Sequence, residues 1–478
     1  REKTGRDGLQ RKSAAAKVLN SCGNTIFCVP GRHKVKNRRK SSTEMERIYR
    51  FFSRQPAGRL IAMGFAGVIL LGTLILLLPI SVRKDATVTF VDALFTSTSA
   101  VCVTGLIAID TADHFTPFGQ GVVAALIQIG GLGVSSVGIG LILAAGKRVG
   151  MKGRTLAREA LNVDSYKGII RLVRSVLFMT LGFEIVGAVL SFLVFSRDYP
   201  FVHALGISIF HSIAAFNNSG FDILGGLRNL IPYQDSVLLN LTTCGLIIFG
   251  GLGFLVMLDV VHKRNIKKLT LHSKVVIVTT VFLLLIGTLL LKATEDISWM
   301  GAFFHSVSAR TAGFSTYPIG EFTQAGLFVL CILMFIGASP GSTGGGIKTS
   351  TFFTLMMAIK HVFTKSPLGA FRRNLPNATV NKAYMITLLS ACVVCIGSFL
   401  MCILEPEYNF IQLLFEVISA FGTVGLSTGI TPDLSDASKL LITAIMFIGR
   451  LGAFTIFSIW LERPEANARY TEETITIG

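Results

Sequence analysis

Four short triplets, each ending in glycine, are the part of this sequence most able to do chemistry: Val103-Thr104-Gly105, Asn218-Ser219-Gly220, Thr311-Ala312-Gly313 and Thr423-Val424-Gly425. They set no nucleophile beside a base and pair no carboxylates. What they offer is backbone. A dehydrated monovalent cation needs several oxygen ligands at once, and main-chain carbonyls supply them without a fixed charge that would trap the ion. To bring carbonyls onto a narrow path the chain must run extended and close to an axis. Glycine permits both, having no Cβ and tolerating positive φ. The expected ligand is a monovalent cation on the carbonyls of these residues, with no covalently bound cofactor and no catalytic group.

Each triplet closes one copy of a repeated segment: residues 95–106 (FTSTSAVCVTGL), 210–221 (FHSIAAFNNSGF), 304–314 (FHSVSARTAGF) and 415–426 (FEVISAFGTVGL). Every copy starts with Phe, carries a small pair in the middle (Ser99-Ala100, Ala214-Ala215, Ser308-Ala309, Ser419-Ala420) and ends in Gly plus a large apolar residue. The third copy is one residue shorter. A second element follows each: IGGLG at 129–133, FGGLG at 249–253, IGASPG at 336–341 and IGRLG at 448–452. Repetition of a whole unit outranks local patterns, so the chain reads as four diverged copies of one unit.

The elements that position the triplets follow from composition. Residues are 51% hydrophobic and 15% charged, and mean hydropathy is +0.63, which excludes an ordinary soluble domain. Apolar runs at 60–80, 121–145, 176–195, 236–258, 275–291, 325–347, 383–404 and 440–461 have about the ~17 to 25 residues of a membrane-spanning helix. Glu184 and Arg450 each interrupt one run. The motif segments between them are too short and polar to cross, so each reads as a re-entrant half-helix and an extended loop. Irregular backbone at that depth requires burial in protein or a wet path, and each half-helix points its negative C-terminal end at the loop, favouring a cation. The expected fold is an all-α membrane protein: four fused helix/pore-loop/helix repeats in pseudo-fourfold arrangement around a central ion pore. The repeats span 56–150, 165–262, 270–362 and 378–462, with a basic N-terminal tail (1–55) and a C-terminal tail (463–478).

The second spanning run of repeat three holds GASPGSTGGGIK at 337–348. Pro340 removes a backbone donor, and Gly341, Gly344, Gly345 and Gly346 weaken helix, so a break and a flexible intramembrane loop are expected below the triplets. Arg450 must face protein or pore, because a bare guanidinium in hydrocarbon is costly; Arg310, one residue before the third triplet, either braces the short third loop or tunes cation occupancy. Glu184 and Glu416 are expected to brace arginines. His211 and His305 are expected to bond neighbouring groups rather than a metal.

Charge orients the chain. The joining loops 147–174, 262–274 and 360–382 are rich in Lys and Arg, with only Glu159 and Asp164 against them, whereas Asp92, Asp110, Asp113 and Asp433 flank the motifs. The positive-inside rule puts the joining loops and both termini in the cytoplasm. The triplets then open outward under an acidic rim that attracts cations. The tail has no apolar core and is not a signal peptide. Its cluster Arg32 to Lys40 is expected to lie on anionic lipid rather than nucleic acid. Cys22, Cys28 and His33 match no strong zinc spacing. The other cysteines, the CxxC pair Cys392 and Cys395 included, read as packing residues.

FNNSGF (216–221), ARTAGF (309–314), SAFGTVGL (419–426), GGGIK (344–348) and GRLG (449–452) together resemble the membrane subunit of the Trk/Ktr/HKT superfamily of potassium transporters, over 56–478 and all four units. Eight spans and the ending RYTEETITIG resemble the Ktr type. The resemblance implies potassium uptake across the cytoplasmic membrane through a channel-like pore. It implies a homodimer bound to a cytosolic ring of nucleotide-binding (ATP/ADP) regulatory subunits. It also implies a gate at Gly341, Ser342, Thr343, Gly344, Gly345, Gly346 and Lys348, held or electrostatically assisted by Arg450. Sodium-selective plant members carry Ser where Gly105 stands, so Gly105 favours potassium, although the loops depart from the TVGYG of potassium channels. A sodium or mixed Na+/K+ transporter of the same fold is the alternative. An alternating-access transporter would show inverted repeats, and here every unit has the same in-out order.

Overall fold

Uncharged apolar runs become helix wherever their length allows, and four helices of this computed structural model are long and apolar enough to cross a bilayer: α1 (Ala57–Leu76), α6 (Ile169–Phe195), α10 (Leu271–Thr294) and α14 (Asn377–Leu404). The structure describes residues 55–144, 149–160 and 168–460. The N-terminal tail with Cys22, Cys28, His33 and its basic cluster, and the C-terminal tail, lie outside the described residues. Each long helix opens a repeat and is followed by a short one: α2 (Phe90–Cys102), α7 (Phe201–Phe216), α11 (Trp299–Ser308) and α15 (Phe410–Gly422). A helix pair closes each repeat: α3 (Pro117–Leu132) with α4 (Val134–Ala144), α8 (Val237–Leu252) with α9 (Phe254–Lys263), α12 (Gln324–Phe335) with α13 (Thr349–Thr364), and α16 (Asp436–Leu451) with α17 (Ala453–Trp460). Between repeats lie α5 (Met151–Ala160) and a hairpin of β1 (Gly369–Ala370) and β2 (Arg373–Asn374). The result is an all-α membrane fold.

The closing helices correct the sequence expectation. Residues 121–145 and 236–258 read as uninterrupted spans, yet α3/α4 and α8/α9 bend by 99° and 96°. Gly133 (φ +81°) and Gly253 (φ +90°) sit at the bends, in a conformation no helix contains. Gly452 (φ +85°) interrupts the fourth pair in the same way. The break expected only in repeat three is therefore general: the repeated Gly-Gly/Arg-Leu-Gly element ends one helix and starts another. In repeat three a longer loop takes its place.

Packing repeats as the sequence does. A Cβ on Gly72, Gly187 or Gly287 would collide with the hydroxyl of Ser97, Ser212 or Ser306. Each of those serines donates to a carbonyl of the long helix: Ile69 (2.7 Å), Glu184 (2.6 Å) and Leu284 (3.0 Å). Small residues let helices approach closely where lipid offers no hydrophobic drive. The lipid-facing sides of the long helices carry exposed Leu71 and Leu74, Phe178 and Leu181, Leu285 and Leu289, and Leu388 and Phe399.

Repeats one and four are tied by an ion pair. Lys439 Nζ of α16 donates to Asp92 Oδ1 of α2 at 3.1 Å, both side chains 11% exposed. Thr89 caps α2 and bonds the other carboxylate oxygen at 2.7 Å. Asp92 is thus spent inside the protein rather than on an acidic rim. Removing one partner strands the other charge, so Asp92→Asn is expected to cost about 3 kcal/mol. The measurement is the melting temperature in detergent, where Asp92→Leu with Lys439→Met should lose less than either single change. Additive losses would show that the pair contributes nothing.

Candidate functional site

The triplets begin where the short helices end. Thr104 N bonds Ser99 O (2.8 Å), Ser219 N bonds Ala214 O (2.8 Å) and Val424 N bonds Ser419 O (2.9 Å), which satisfies terminal helix carbonyls and turns the chain sharply out of the helix. The first residue of each triplet is left-handed: Val103 at φ +57°, Asn218 at +58°, Thr311 at +78° and Thr423 at +50°. Three of the four also keep a hydroxyl behind the triplet. Ser99 Oγ accepts from Gly105 N (3.0 Å) and donates to Leu106 O (2.7 Å). Ser419 Oγ accepts from Gly425 N (3.0 Å), and Ser308 Oγ donates to Phe314 O. These serines are the middle-pair residues of the repeat, a position that sequence reasoning recorded only as small.

Four strands held this way meet one another. A Cβ on Gly105 would collide with the Ser219 carbonyl oxygen, and on Gly220 it would lie 2.7 Å from that of Ala312. On Gly313 it would collide with the Val424 oxygen, and on Gly425 with the Thr104 oxygen. The sequence of neighbours, one to two to three to four and back to one, closes a ring. All twelve triplet residues are buried in it. All four glycines have positive φ, from +70° to +91°, so a side chain there would be both strained and in collision. Beyond the ring, Gly105, Gly313, Gly425, Asn229, Ser315 and Thr428 line an open cavity of about 320 Å³.

Beneath the ring runs the loop of repeat three. Gly345 N donates to Thr423 Oγ1 (2.9 Å), Thr343 Oγ1 to Asn218 Oδ1 (3.3 Å), and a Cβ on Gly344 would strike Thr311. The loop therefore touches the first residue of three triplets. Lys348 Nζ closes the loop on itself through the carbonyls of Gly344 (2.6 Å) and Gly345 (3.2 Å). Arg450, from repeat four, reaches Thr343 O in repeat three with Nη1, and Gly130 O and Gly131 O in repeat one with Nη2. Its guanidinium thus bridges two repeats that lie on opposite sides of the ring. Gly341 O accepts from Phe254 N (3.0 Å), anchoring the loop's near end to α9.

The chain is similar to known proteins along most of its length. The profile of the TrkH family, described as cation transport protein, matches residues 61–295 and 266–467. The chain belongs to the TrkH family of cation transport proteins. The potassium/sodium uptake protein NtpJ of Enterococcus hirae is 39% identical over 439 residues, covering 88% of this chain and 97% of that protein. The Ktr system potassium uptake protein B of Bacillus subtilis is 36% identical over 434 residues, covering 88% and 96%. In fold, the potassium transporter TrkH from Vibrio parahaemolyticus superposes with a TM-score of 0.66 at 20% identity, over 89% of this chain and 86% of that one.

Within this TrkH-family chain the intramembrane acids find other partners than those expected. Glu184 accepts from Asn217 Nδ2 (3.1 Å), which also donates to Gln128 Oε1 (2.8 Å). Glu416 accepts from Ser427 Oγ (2.6 Å), Thr428 N (3.0 Å) and Thr431 Oγ1 (2.8 Å). Among the described residues neither braces an arginine. Glu416 instead fixes the strand leaving the fourth triplet, and Arg450 is satisfied by carbonyls. Arg310 is buried, and its Nε has no hydrogen-bond partner among the described residues. His211 bonds Thr243 Oγ1 (2.9 Å) and His305 bonds Gly301 O (2.9 Å). Asp110 and Asp113 hold the loop of repeat two, accepting from Leu227 N (2.7 Å) and Gly226 N (2.9 Å). Cys102, Cys244 and Cys331 are buried free thiols, while Cys392 and Cys395 are exposed on α14.

Proposed function

We propose that this chain is the pore subunit of a potassium uptake system, passing K+ through the glycine ring by carbonyl coordination. The closed ring of four triplets supports the reading: a backbone oxygen of each repeat lies against the glycine of its neighbour, where a Cβ would collide, and such close-set main-chain oxygens suit the replacement of an ion's hydration shell. The names of the relatives support potassium, and the E. hirae relative supports accompanying Na+ passage as the second reading. In this proposal Val103, Thr104, Gly105, Asn218, Ser219, Gly220, Thr311, Ala312, Gly313, Thr423, Val424 and Gly425 form the selectivity filter. The loop from Gly341 to Lys348 is the gate, latched by Arg450. The ring faces outward in the cytoplasmic membrane, the joining loops and both termini face the cytoplasm, and the chain works as a homodimer on a nucleotide-binding regulatory ring. Rb+ uptake into liposomes, competed with K+ and Na+, tests the assignment. Equal competition by K+ and Na+ favours the mixed reading, and no Rb+ uptake by inserted protein defeats both.

Asp222, two residues past Gly220, gives this entrance a pH dependence. Burial pushes its carboxyl up to about 7, with Asp110 and Asp113 adding to the rise, while the Leu224 amide and Arg228 oppose it. The group is neutral in acid and gains its charge as pH rises through 7. Leu227 and Asn229 of the same loop line the cavity over the ring, and a negative charge in that loop concentrates cations there. Rb+ uptake at low Rb+ is therefore expected to rise about two- to fivefold between external pH 6 and 8, and Asp222→Asn should flatten the profile. An unchanged profile in the variant would remove Asp222 from the entrance.

A further inference from the structure

On the joining-loop face, Lys263, Lys267, Lys268, Lys274 and Arg373 line a cavity of about 360 Å³ together with Thr270, Leu271 and Phe371. It is built from the end of α9, the short turn Ile266–Lys268, the first turn of α10 and the β1–β2 hairpin. The local counter-charge is already committed: Asp259 pairs with Lys263 at 2.7 Å and accepts from Thr270 N, Thr270 Oγ1 and Ser273 Oγ. Lys274 Nζ bonds the Lys267 carbonyl at 2.8 Å, and among the described residues Lys267, Lys268, Lys274 and Arg373 form no ion pair. Four unneutralised cations around one cavity repel one another unless an anion sits between them. The hairpin turn holds Phe371 and Arg372 in left-handed conformations (φ +51° and +62°), a strained choice for such side chains, with Phe371 and Arg373 lining the cavity.

The surroundings distinguish the sources of an anion. Val261 on α9, Ile266 in the turn before α10 and Phe371 in the hairpin turn are exposed, and α10 is a membrane-spanning helix that starts at Leu271. A soluble phosphate compound or an acidic peptide gains nothing from those apolar groups, whereas acyl chains cover them. We propose that this cavity holds the phosphate headgroup of an anionic phospholipid from the adjoining leaflet. Occupancy also bears on transport, a part that rests on the pore reading, because α9 runs from this cavity to the loop beneath the ring through the Phe254 N to Gly341 O bond.

The test is native mass spectrometry of the full-length purified chain titrated with phosphatidylglycerol, which reads binding independently of flux. K267Q/K268Q/R373Q is expected to bind the first lipid about tenfold or more weakly. The charge-conserving K267R/K268R/R373K should retain it, with both variants melting as the parent does. Undiminished lipid binding in the glutamine variant overturns the proposal, as does equal loss in the charge-conserving one. Millimolar inorganic phosphate or ATP should leave the adduct in place; displacement by either, with binding of that compound lost in the glutamine variant, assigns the cavity to a soluble phosphate and overturns the lipid. Lipid binding that persists while a cytosolic acidic partner is lost from the glutamine variant overturns it likewise. In liposomes, adding phosphatidylglycerol to phosphatidylcholine should change the parent's Rb+ uptake and not the glutamine variant's. Lipid binding without that flux effect overturns the coupling through α9.

Discussion

Gly425→Ala is expected to lower Rb+ uptake into liposomes by roughly a hundredfold without loss of helix content or membrane insertion. The left-handed backbone of Gly425 (φ +91°) alone would cost alanine about 1 kcal/mol. The larger effect is steric. The new Cβ would overlap the Thr104 carbonyl oxygen and crowd the Gly105 backbone 2.9 Å away, and this is main chain of the neighbouring repeat, which cannot rotate aside. A shift of roughly 3 kcal/mol in the ion's path corresponds to about two orders of magnitude in rate. Gly429→Ala is the control for backbone strain, since Gly429 has φ +98° but nothing within 4 Å of an added Cβ. Gly121→Ala controls for substitution on a helix, where nothing stands within 4 Å either. If Gly425→Ala conducts as well as these two, the ring is not the ion path.

Arg450→Gln should act in the other direction, raising initial Rb+ uptake about tenfold or more in liposomes that lack any cytosolic partner. The guanidinium joins Thr343 of the loop to Gly130 across the ring, and hydrogen bonds from a charged donor contribute ~1.5 to 3 kcal/mol each. Losing about 2 kcal/mol from the closed arrangement shifts the open-to-closed ratio roughly thirtyfold. Removing a fixed positive charge below the ring also lowers the barrier to a cation. Lys348→Met provides the contrast. Among the described residues Lys348 bonds only carbonyls of its own loop, Gly344 and Gly345, so it shapes the loop without latching it elsewhere, and its effect should be smaller. Deleting 341–346 should raise uptake as Arg450→Gln does. Uptake that stays level or falls in the arginine variant, with normal insertion, would mean the loop is not a latch.

Much of this protein is written in local pattern. Hydropathy runs mark α1, α6, α10 and α14 within a turn or two, because a bilayer-length apolar segment can satisfy its backbone in no other way than as helix. The four motif copies mark the triplets, because only glycine accepts both positive φ and a neighbouring carbonyl at contact distance. Pro340 and its surrounding glycines mark the loop of repeat three for the same local reason. The bends at Gly133 and Gly253 were less legible. Single glycines in an apolar run are tolerated in helices, and only their contacts, Gly253 against Pro340 O for instance, show that the chain turns there.

Partner choice was not legible at all. Arg450 and Gly130 are 320 residues apart, and nothing in the composition of either neighbourhood announces that a guanidinium will take carbonyls while Glu184 and Glu416 take an amide and hydroxyls. Propensity, periodicity and charge are sums over neighbouring residues, so a single chain carries them openly. Which carbonyl faces which donor across the ring depends on four helices packing at once, and that matching exists only after the repeats have closed on one another.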